Sequence, residues 1–358
     1  MLKTQNLTIG YPSKIILENL NLHLEKGKVT ALLGINGAGK STLLRTIAGV
    51  QKPILGTVLI DYNKSQKIVQ ESIHKLSKKE IAKKISLVLT EQAATTRLTV
   101  KELIALGRYP HTSWNGSFDK EDQKMIDWAI EAVSMNEYAD VPIGELSDGL
   151  RQKTMIGRAL AQEGDILLLD EPTAHLDLVN RSEIMLLLSQ IATEFDKAIL
   201  VSTHELDLIL QIAHTLWLIS SSNQSNINES TQKGKLQNRK LFVGLAEELV
   251  LNGELANAFV RPPLYFDREK GNFKILNKEH KITYFIEGDA IGTYWTKLAL
   301  EKRKIYSTVL DKNSDISNLE NNLIVKVERQ NENSWKWIFE ENVFESLEEF
   351  LKNISNAS

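Results

Sequence analysis

Gly34-Ile35-Asn36-Gly37-Ala38-Gly39-Lys40-Ser41, followed by Thr42, constrains this chain more than any other stretch. It fits the spacing G-x-x-x-x-G-K-[ST] of a phosphate-binding loop. Before it, Val29-Thr30-Ala31-Leu32-Leu33 is a short apolar run of buried-strand length; after it, Thr42-Leu43-Leu44-Arg45-Thr46-Ile47-Ala48 reads as a helix. Strand, glycine-rich turn and helix together aim backbone N–H groups and the positive end of the helix dipole at one point, where phosphate oxygens belong. The glycines let the backbone close around them without a Cβ in the way. In that arrangement Lys40 reaches the β- and γ-phosphates of a nucleotide and the Ser41 hydroxyl sits on Mg²⁺. The competing reading is a plain strand-to-helix turn with an incidental Lys-Ser, and the flanks argue against it.

The rest of the composition narrows the class. With 358 residues, 42% hydrophobic and 25% charged, the chain has room for one large domain and a smaller one. A net charge of -3 gives no global basic field for nucleic acid. There is no cysteine, which excludes disulfides, thiolate metal sites and cysteine nucleophiles. Met1-Leu2-Lys3-Thr4-Gln5-Asn6 is no apolar signal segment, and no run approaches bilayer-spanning length. The expectation is a soluble, cytoplasmic protein that meets a membrane only through a partner.

Residues 2–33 alternate like strands, with turns at Gly10-Tyr11-Pro12 and Glu25-Lys26-Gly27-Lys28, and predict a small antiparallel layer ahead of the loop. Tyr11 has two readings by position alone: a ring stacked on a nucleotide base, or a turn tyrosine covering the sheet. Residues 57–60 read as a strand, 61–80 as a solvated lysine-rich loop leading into a helix, and 85–89 as a buried strand. From residue 99 to about 140 the period becomes helical, interrupted by the aromatic loop at 108–116. Leu146-Ser147-Asp148-Gly149-Leu150-Arg151-Gln152-Lys153 opens a further helix, with Ser147 as its N-cap. The run Ile166-Leu167-Leu168-Leu169 is fully apolar and ends in Asp170-Glu171; Leu176-Asp177 follows, and a later strand ends at His204.

A phosphate loop needs an acidic counterpart. Asp170 at the end of a rigid strand delivers a carboxylate to the Mg²⁺ shell, and Glu171 beside it can take a proton from an attacking water. Glu171 is therefore the candidate general base, and His204 a candidate to hydrogen-bond the γ-phosphate and orient that water. Each also has a plain structural reading, an acid capping a turn or a histidine closing a strand.

Residues 220–240 are polar and of low complexity, and predict a hairpin with an overgrown tip. A helix is expected over 245–259. From about 278 a separate unit begins, with the order β-α-β-β-β-α in roughly eighty residues, a size near the lower end for domains. Gly288-Asp289-Ala290-Ile291-Gly292 follows a strand and opens a helix there, but lacks the spacing of a dinucleotide fingerprint.

Taken in order, the phosphate loop, Leu146-Ser147-Asp148-Gly149-Leu150, residues 166–171, Leu176-Asp177 and His204 resemble the ATP-binding subunit of an ABC transporter over about residues 1–277. The resemblance implies an α/β fold, a P-loop NTPase of ABC type. Its RecA-like core would carry an antiparallel β layer and a helical subdomain inserted at about 97–160, with a small C-terminal α+β domain at 278–358. It implies ATP and Mg²⁺ as ligands. Gly34, Ile35, Asn36, Gly37, Ala38, Gly39, Lys40, Ser41 and Thr42 would hold the phosphates, Tyr11 would stack on adenine, and Ser41 and Asp170 would face the metal. Two copies would pair head to tail, so that Ser147 and Gly149 of one copy close over the ATP of the other and Asp177 lies at the seam. The signature is Leu-Ser-Asp-Gly-Leu where the family usually has Leu-Ser-Gly-Gly-Gln; Ser147 and Gly149 are kept. The family also has a glutamine after the 85–89 strand that touches Mg²⁺ and water. Alignment puts Thr90 or Glu91 at that place with Gln92 one or two residues late, and Gln92 is the preferred candidate.

Leu106-Gly107-Arg108-Tyr109-Pro110 resembles the subfamily that imports iron–siderophore complexes, haem and cobalamin. That resemblance implies hydrolysis coupled to uptake of such a cargo. The partners would be integral membrane permease subunits and, indirectly, a substrate-binding protein, with the chain peripheral on the inner face of the membrane. The rival class is a soluble ABC-type ATPase of DNA repair or translation. Such proteins usually carry two ATP-binding units or a long coiled coil, and this chain has one phosphate loop and no sustained heptads. The tail at 278–358 reads as a regulatory ligand-binding module or a dimer-stabilising extension.

Overall fold

The computed structural model describes residues 1–64, 67–89, 97–112, 117–221, 239–259, 264–267, 271–275, 283–310 and 323–356. The chain divides into two compact units, Met1–Val260 with Phe266–Phe273, and Arg261–Tyr265 with Lys274–Ser358.

The first unit opens with β1 (Leu2–Tyr11), β2 (Lys14–Leu20) and β3 (His23–Leu24), then β4 (Val29–Gly34) and α1 (Lys40–Ile47). Next come β5 (Leu55–Lys64), β6 (Lys67–Ser72), α2 (Lys78–Ala82) and β7 (Ile85–Val88). Three helices follow, α3 (Val100–Ala105), α4 (Lys120–Ala132) and α5 (Asp148–Ala161). The remainder is β8 (Ile166–Asp170), α6 (Leu178–Glu194), β9 (Ala198–Thr203), α7 (Leu206–Ile212), β10 (Thr215–Ser221), β11 (Arg239–Gly244), α8 (Ala246–Leu251) and α9 (Glu254–Phe259). A hairpin, β12 (Leu264–Asp267) and β13 (Asn272–Ile275), comes after it, and its Phe266 and Phe273 pack edge to face at 5.0 Å.

Two sheets carry this unit. One has the order β2-β1-β5-β6 with β3 on β1, all antiparallel. The other has the order β11-β10-β4-β9-β8-β7, parallel except for the edge strand β11. The central parallel strands β4, β8 and β9 are buried along their whole length, and largely apolar, because both faces are covered. Alternate residues serve two cores: Leu32, Leu168 and Leu200 join α1 and the antiparallel layer, whereas Ala31, Leu33, Leu167, Leu169 and Val201 join the helices of the other face. Burial on both faces fixes the height of each strand end, and the loops at those ends inherit that precision.

Two expectations are corrected here. Residues 61–80 are not a loop: β5 runs to Lys64 and pairs with β6, with Tyr62 opposite Val69. An edge strand of a half-solvated sheet accepts lysine, and that charge hid it. The helix expected over 245–259 is two helices, broken at Gly253, whose φ of 84° ends α8.

The second unit comprises β14 (Thr283–Gly288), α10 (Ala290–Glu301), β15 (Tyr306–Val309), β16 (Leu323–Asn331), β17 (Ser334–Phe339), β18 (Asn342–Phe344) and α11 (Leu347–Asn356). Its sheet order is β15-β14-β16-β17-β18, with β14 parallel to both neighbours and the rest antiparallel. Strand β18 is one more than the sequence predicts. It returns from β17 through Glu340 and Glu341, at φ 47° and 68°, the left-handed pair that a tight hairpin demands and that glutamates rarely supply. The core gathers Ile286, Val325, Val327, Trp337, Phe339 and Phe350. Trp337 Nε1 donates to Thr296 Oγ1 and Trp335 Nε1 to Asp289 Oδ1, each at 2.7 Å.

Candidate functional site

The phosphate loop leaves the parallel sheet at Gly34, where a Cβ would stand 3.2 Å from Ala38 Cβ and from Ile219. Gly37 and Gly39 take φ of 76° and 113°, the left-handed region that glycine enters without strain. At Gly39 a side chain would also run into Ile16 of β2. The Ala38 N–H turns back to Ile35 O at 3.0 Å, and the helical ladder begins with Leu43 N–H on Gly39 O at 2.9 Å. The loop is braced from the sheet edge as well, since Arg239 Nη1 donates to Ala38 O at 3.0 Å.

Lys40 is 5% exposed. Its Nζ donates to Gly34 O at 3.0 Å and lies 3.2 Å from Glu171 Oε1. Asp170 closes β8, a strand buried along its whole length, and Glu171 leaves that strand at φ 48°. The second carboxylate oxygen of Glu171 lies 3.7 Å from Nδ1 of His204, which follows β9 and is half exposed. One carboxylate thus stands between the ammonium of the phosphate loop and an accessible imidazole. Lys40, Glu171 and His204 come from three separate strand ends, β4, β8 and β9, which are adjacent in the sheet. Their convergence at the C-terminal edge of a parallel sheet follows from the fold.

Ser202 joins the two acids. Its hydroxyl donates to Asp170 Oδ1 at 2.7 Å and accepts the Glu171 N–H at 2.9 Å. The sequence reading passed over it as the end of an apolar strand. Its place is set by register, with Ser202 of β9 directly opposite Asp170 of β8.

Ser147 and Gly149 belong to a second cluster. Ser147 caps α5, accepting the Leu150 N–H at 3.4 Å. Gly149 faces Asn180 on the first turn of α6, where a Cβ would stand 2.7 Å from Asn180 Cγ and collide with Oδ1. Asn180 is held by Asp177, N–H to Oδ1 and Nδ2 to Oδ2, both at 2.8 Å. Those backbone and side-chain hydrogen bonds keep the Asp177 carboxyl below its ordinary range. Arg181 Nε adds a hydrogen bond to Leu176 O and an ion pair to Glu205 at 3.2 Å, linking the Asp177 turn to the residue after His204. The long-range neighbours of these residues, Gly149 for Asn180, Glu205 for Arg181 and Ala38 for Arg239, come only with the fold.

Tyr11 ends β1 opposite Lys14 and is half exposed. Thr42 is buried on α1 and Ser41 partly so. Thr90, Glu91 and Gln92 lie outside the described residues.

Leu106-Gly107-Arg108-Tyr109-Pro110 acts as a clamp between helices. A Cβ on Gly107 would collide with Arg158 O of α5 and meet Ala161 Cβ at 3.0 Å. Arg108, buried, places Nε 2.8 Å from Asp122 Oδ1 and gives Nη1 to Ala161 O at 2.8 Å and Glu163 Oε2 at 2.9 Å. Burial works against charge on Asp122, but Arg108 and the Asp119 N–H outweigh it, and the carboxyl sits below its ordinary range.

The family model described as ABC transporter matches residues 17–174. The iron(3+)-hydroxamate import ATP-binding protein FhuC of Bacillus subtilis is 40% identical over 230 residues, covering 64% of this chain and 82% of that protein. The ferric enterobactin transport ATP-binding protein FepC of Escherichia coli is 36% identical over 215 residues, 60% of this chain and 76% of that one. Among solved structures, an inward-facing putative metal-chelate type ABC transporter aligns with a TM-score of 0.59 at 25% identity, over 77% of this chain and 98% of the matched chain. Family model, curated relatives and fold agree on one assignment: the chain belongs to the ABC transporter family, among its ATP-binding proteins.

Proposed function

We propose that this protein is the ATP-hydrolysing subunit of an importer for an iron chelate, haem or cobalamin. The observation that carries the chemistry is the Glu171 carboxylate set between Lys40 Nζ and His204 Nδ1. The cargo class is supported by the iron-hydroxamate and enterobactin relatives.

In this reading ATP lies with its triphosphate over residues 34–42 and its base against Tyr11. Lys40, already desolvated, exchanges Glu171 for the β- and γ-phosphates. The released Glu171 carboxylate takes a proton from the water that attacks the γ-phosphorus, as the bond to the β-phosphate oxygen breaks. His204 orients that water against the γ-phosphate. Ser41 and Asp170 offer a hydroxyl and a carboxylate, the hard-oxygen donors that suit Mg²⁺, with Gln92 as a further candidate. When bound, the ion neutralises charge on the β- and γ-phosphate oxygens.

The second cluster serves the neighbouring copy. Head-to-tail pairing brings the Ser147-capped start of α5, with Gly149, over the nucleotide of the other subunit, where its N–H groups and dipole favour phosphate. Asp177 and the exposed Leu178 and Val179 would line the seam. Among the described residues no helix is long and apolar enough to cross a membrane. The transport path would belong to permease partners, which hold the chain at the inner membrane face. Residues 1–277 act as the ATP-binding domain, with residues 97–160 carrying its motion to the permease, and 278–358 as an accessory domain.

Replacing Glu171 by Gln tests the chemistry: hydrolysis stops while ATP binding persists. Co-purification with an integral membrane permease tests the transport role, and recovery with ribosomes or DNA instead would reverse it.

A further inference from the structure

Strand β9 is fully buried, and Ser202 stands on it directly opposite Asp170 of β8. A hydroxyl has one proton to give. The Glu171 nitrogen, 2.9 Å from Ser202 Oγ, can only donate, so it takes an acceptor position on that oxygen. The hydroxyl proton is thereby directed to Asp170 Oδ1 at 2.7 Å, a well-formed O–H···O distance. The Glu171 N–H also lies 3.1 Å from Ser202 O, so one residue grips that peptide with both its carbonyl and its side chain. That peptide carries the strained left-handed turn, φ 48°, that sends the Glu171 side chain toward Lys40 and His204. Thr203, next in the strand, turns its hydroxyl away to accept the Glu205 N–H at 3.0 Å. The link between the acids therefore belongs to Ser202.

We propose that Ser202 is a positioning residue for ATP hydrolysis: its hydroxyl orients the Asp170 carboxylate and holds the Glu171 turn, without touching nucleotide itself. The inference rests on the reading of Asp170 and Glu171 as the two working acids. The bond from Ser202 to Oδ1 restricts the rotation of the Asp170 carboxylate. Removal of the hydroxyl takes one donor from a buried carboxylate and one acceptor from the Glu171 N–H, so the aim of both acids is loosened together. An effect routed through the acids falls on the chemical step and on the Mg²⁺ requirement, and spares the base and phosphate contacts that hold ATP.

The test uses the full chain as Ser202→Ala, Ser202→Thr and Ser202→Cys, beside wild type and Glu171→Gln. ATP turnover is measured together with retention of a fluorescent non-hydrolysable ATP analogue across a Mg²⁺ titration. Ser202→Ala should lose about 10- to 100-fold in kcat and need more Mg²⁺ for half-maximal retention, the usual scale for an outer partner of a metal-facing group. Its KM for ATP should stay within about threefold of wild type, and Ser202→Thr, which keeps the hydroxyl, should restore both quantities. Ser202→Cys fills the same space with a weak donor and should behave like Ser202→Ala, which keeps the test open if the alanine variant does not fold. Wild-type kcat in the alanine or cysteine variant, a loss that threonine does not recover, or a loss matched by equal loss of analogue retention would each overturn the proposal. Failure of the underlying reading looks different: Glu171→Gln would then hydrolyse at the wild-type rate whatever Ser202 does.

Discussion

The first unit holds two charged clusters of similar composition and opposite character. At Arg108 the guanidinium is held on several sides: Nε faces Asp122, and Nη1 is shared by Ala161 O and Glu163, in a pocket that leaves Arg108 and Asp122 about 5% and 6% exposed. At Lys40 the ammonium meets one backbone carbonyl and, at 3.2 Å, one carboxylate, whose other oxygen faces a half-exposed histidine at 3.7 Å. The difference separates a joint from a candidate working site. A buried network fixes two helices against each other and offers little open surface to a ligand. A sparse one, with a lysine that a triphosphate can draw away from its carboxylate, can be rearranged at small cost. The sequence makes both look alike, as a basic residue beside conspicuous glycines.

The sharpest way to break this comparison is at Glu171. Glu171→Gln should lower kcat by about a hundred- to ten-thousand-fold, the range for a general base, with ATP still bound in an equilibrium assay. Next in size, Lys40→Ala should weaken Mg²⁺-dependent nucleotide retention by about 10- to 100-fold, since it removes charge-assisted bonds to phosphate.

The other cluster should respond in stability. Asp122→Asn leaves the buried Arg108 with one carboxylate partner, Glu163, in place of two and should cost about 2 kcal/mol in denaturant unfolding, while kcat per folded molecule holds. Its pH dependence has a definite sign. The folded-state pKa of Asp122 is depressed, so its contribution is complete above the unfolded value of about 3.9 and is lost as pH falls through the folded one. The stability gap between wild type and Asp122→Asn should be constant from neutral pH down to about 5 and shrink only below 4. A gap that closes at pH 6 would contradict a depressed Asp122 carboxyl. The smallest effect is expected from removal of 278–358. The first unit has its own cores, so basal hydrolysis should stay within about twofold, and a folded but inactive truncation would place the tail within the machine.

Legibility followed the same divide. The phosphate loop, the apolar run before Asp170 and the fold class could be read because each is a local pattern: glycines at left-handed positions, a strand buried on both faces, period 3.6 on the helices between. The hairpin at β5 and β6 was hidden by its lysines, and β18 by a turn built from Glu340 and Glu341 in place of Asn-Gly. Ser202 and Asn180 were hidden for another reason. Ser202 acquires its role from cross-strand register, and Asn180 acquires its own from a helix that starts beside Gly149. Neither relation leaves a trace in the spacing of residues along the chain.

The central claim is that a triphosphate held over Lys40 is cut through Glu171, and single-turnover hydrolysis in the Glu171→Gln variant tests it most directly. With Mg²⁺ and γ-labelled ATP, the account predicts that the variant binds nucleotide as wild type does and releases almost no phosphate in the time wild type empties its site. Release at the wild-type rate would contradict it and move the proton acceptor to another residue.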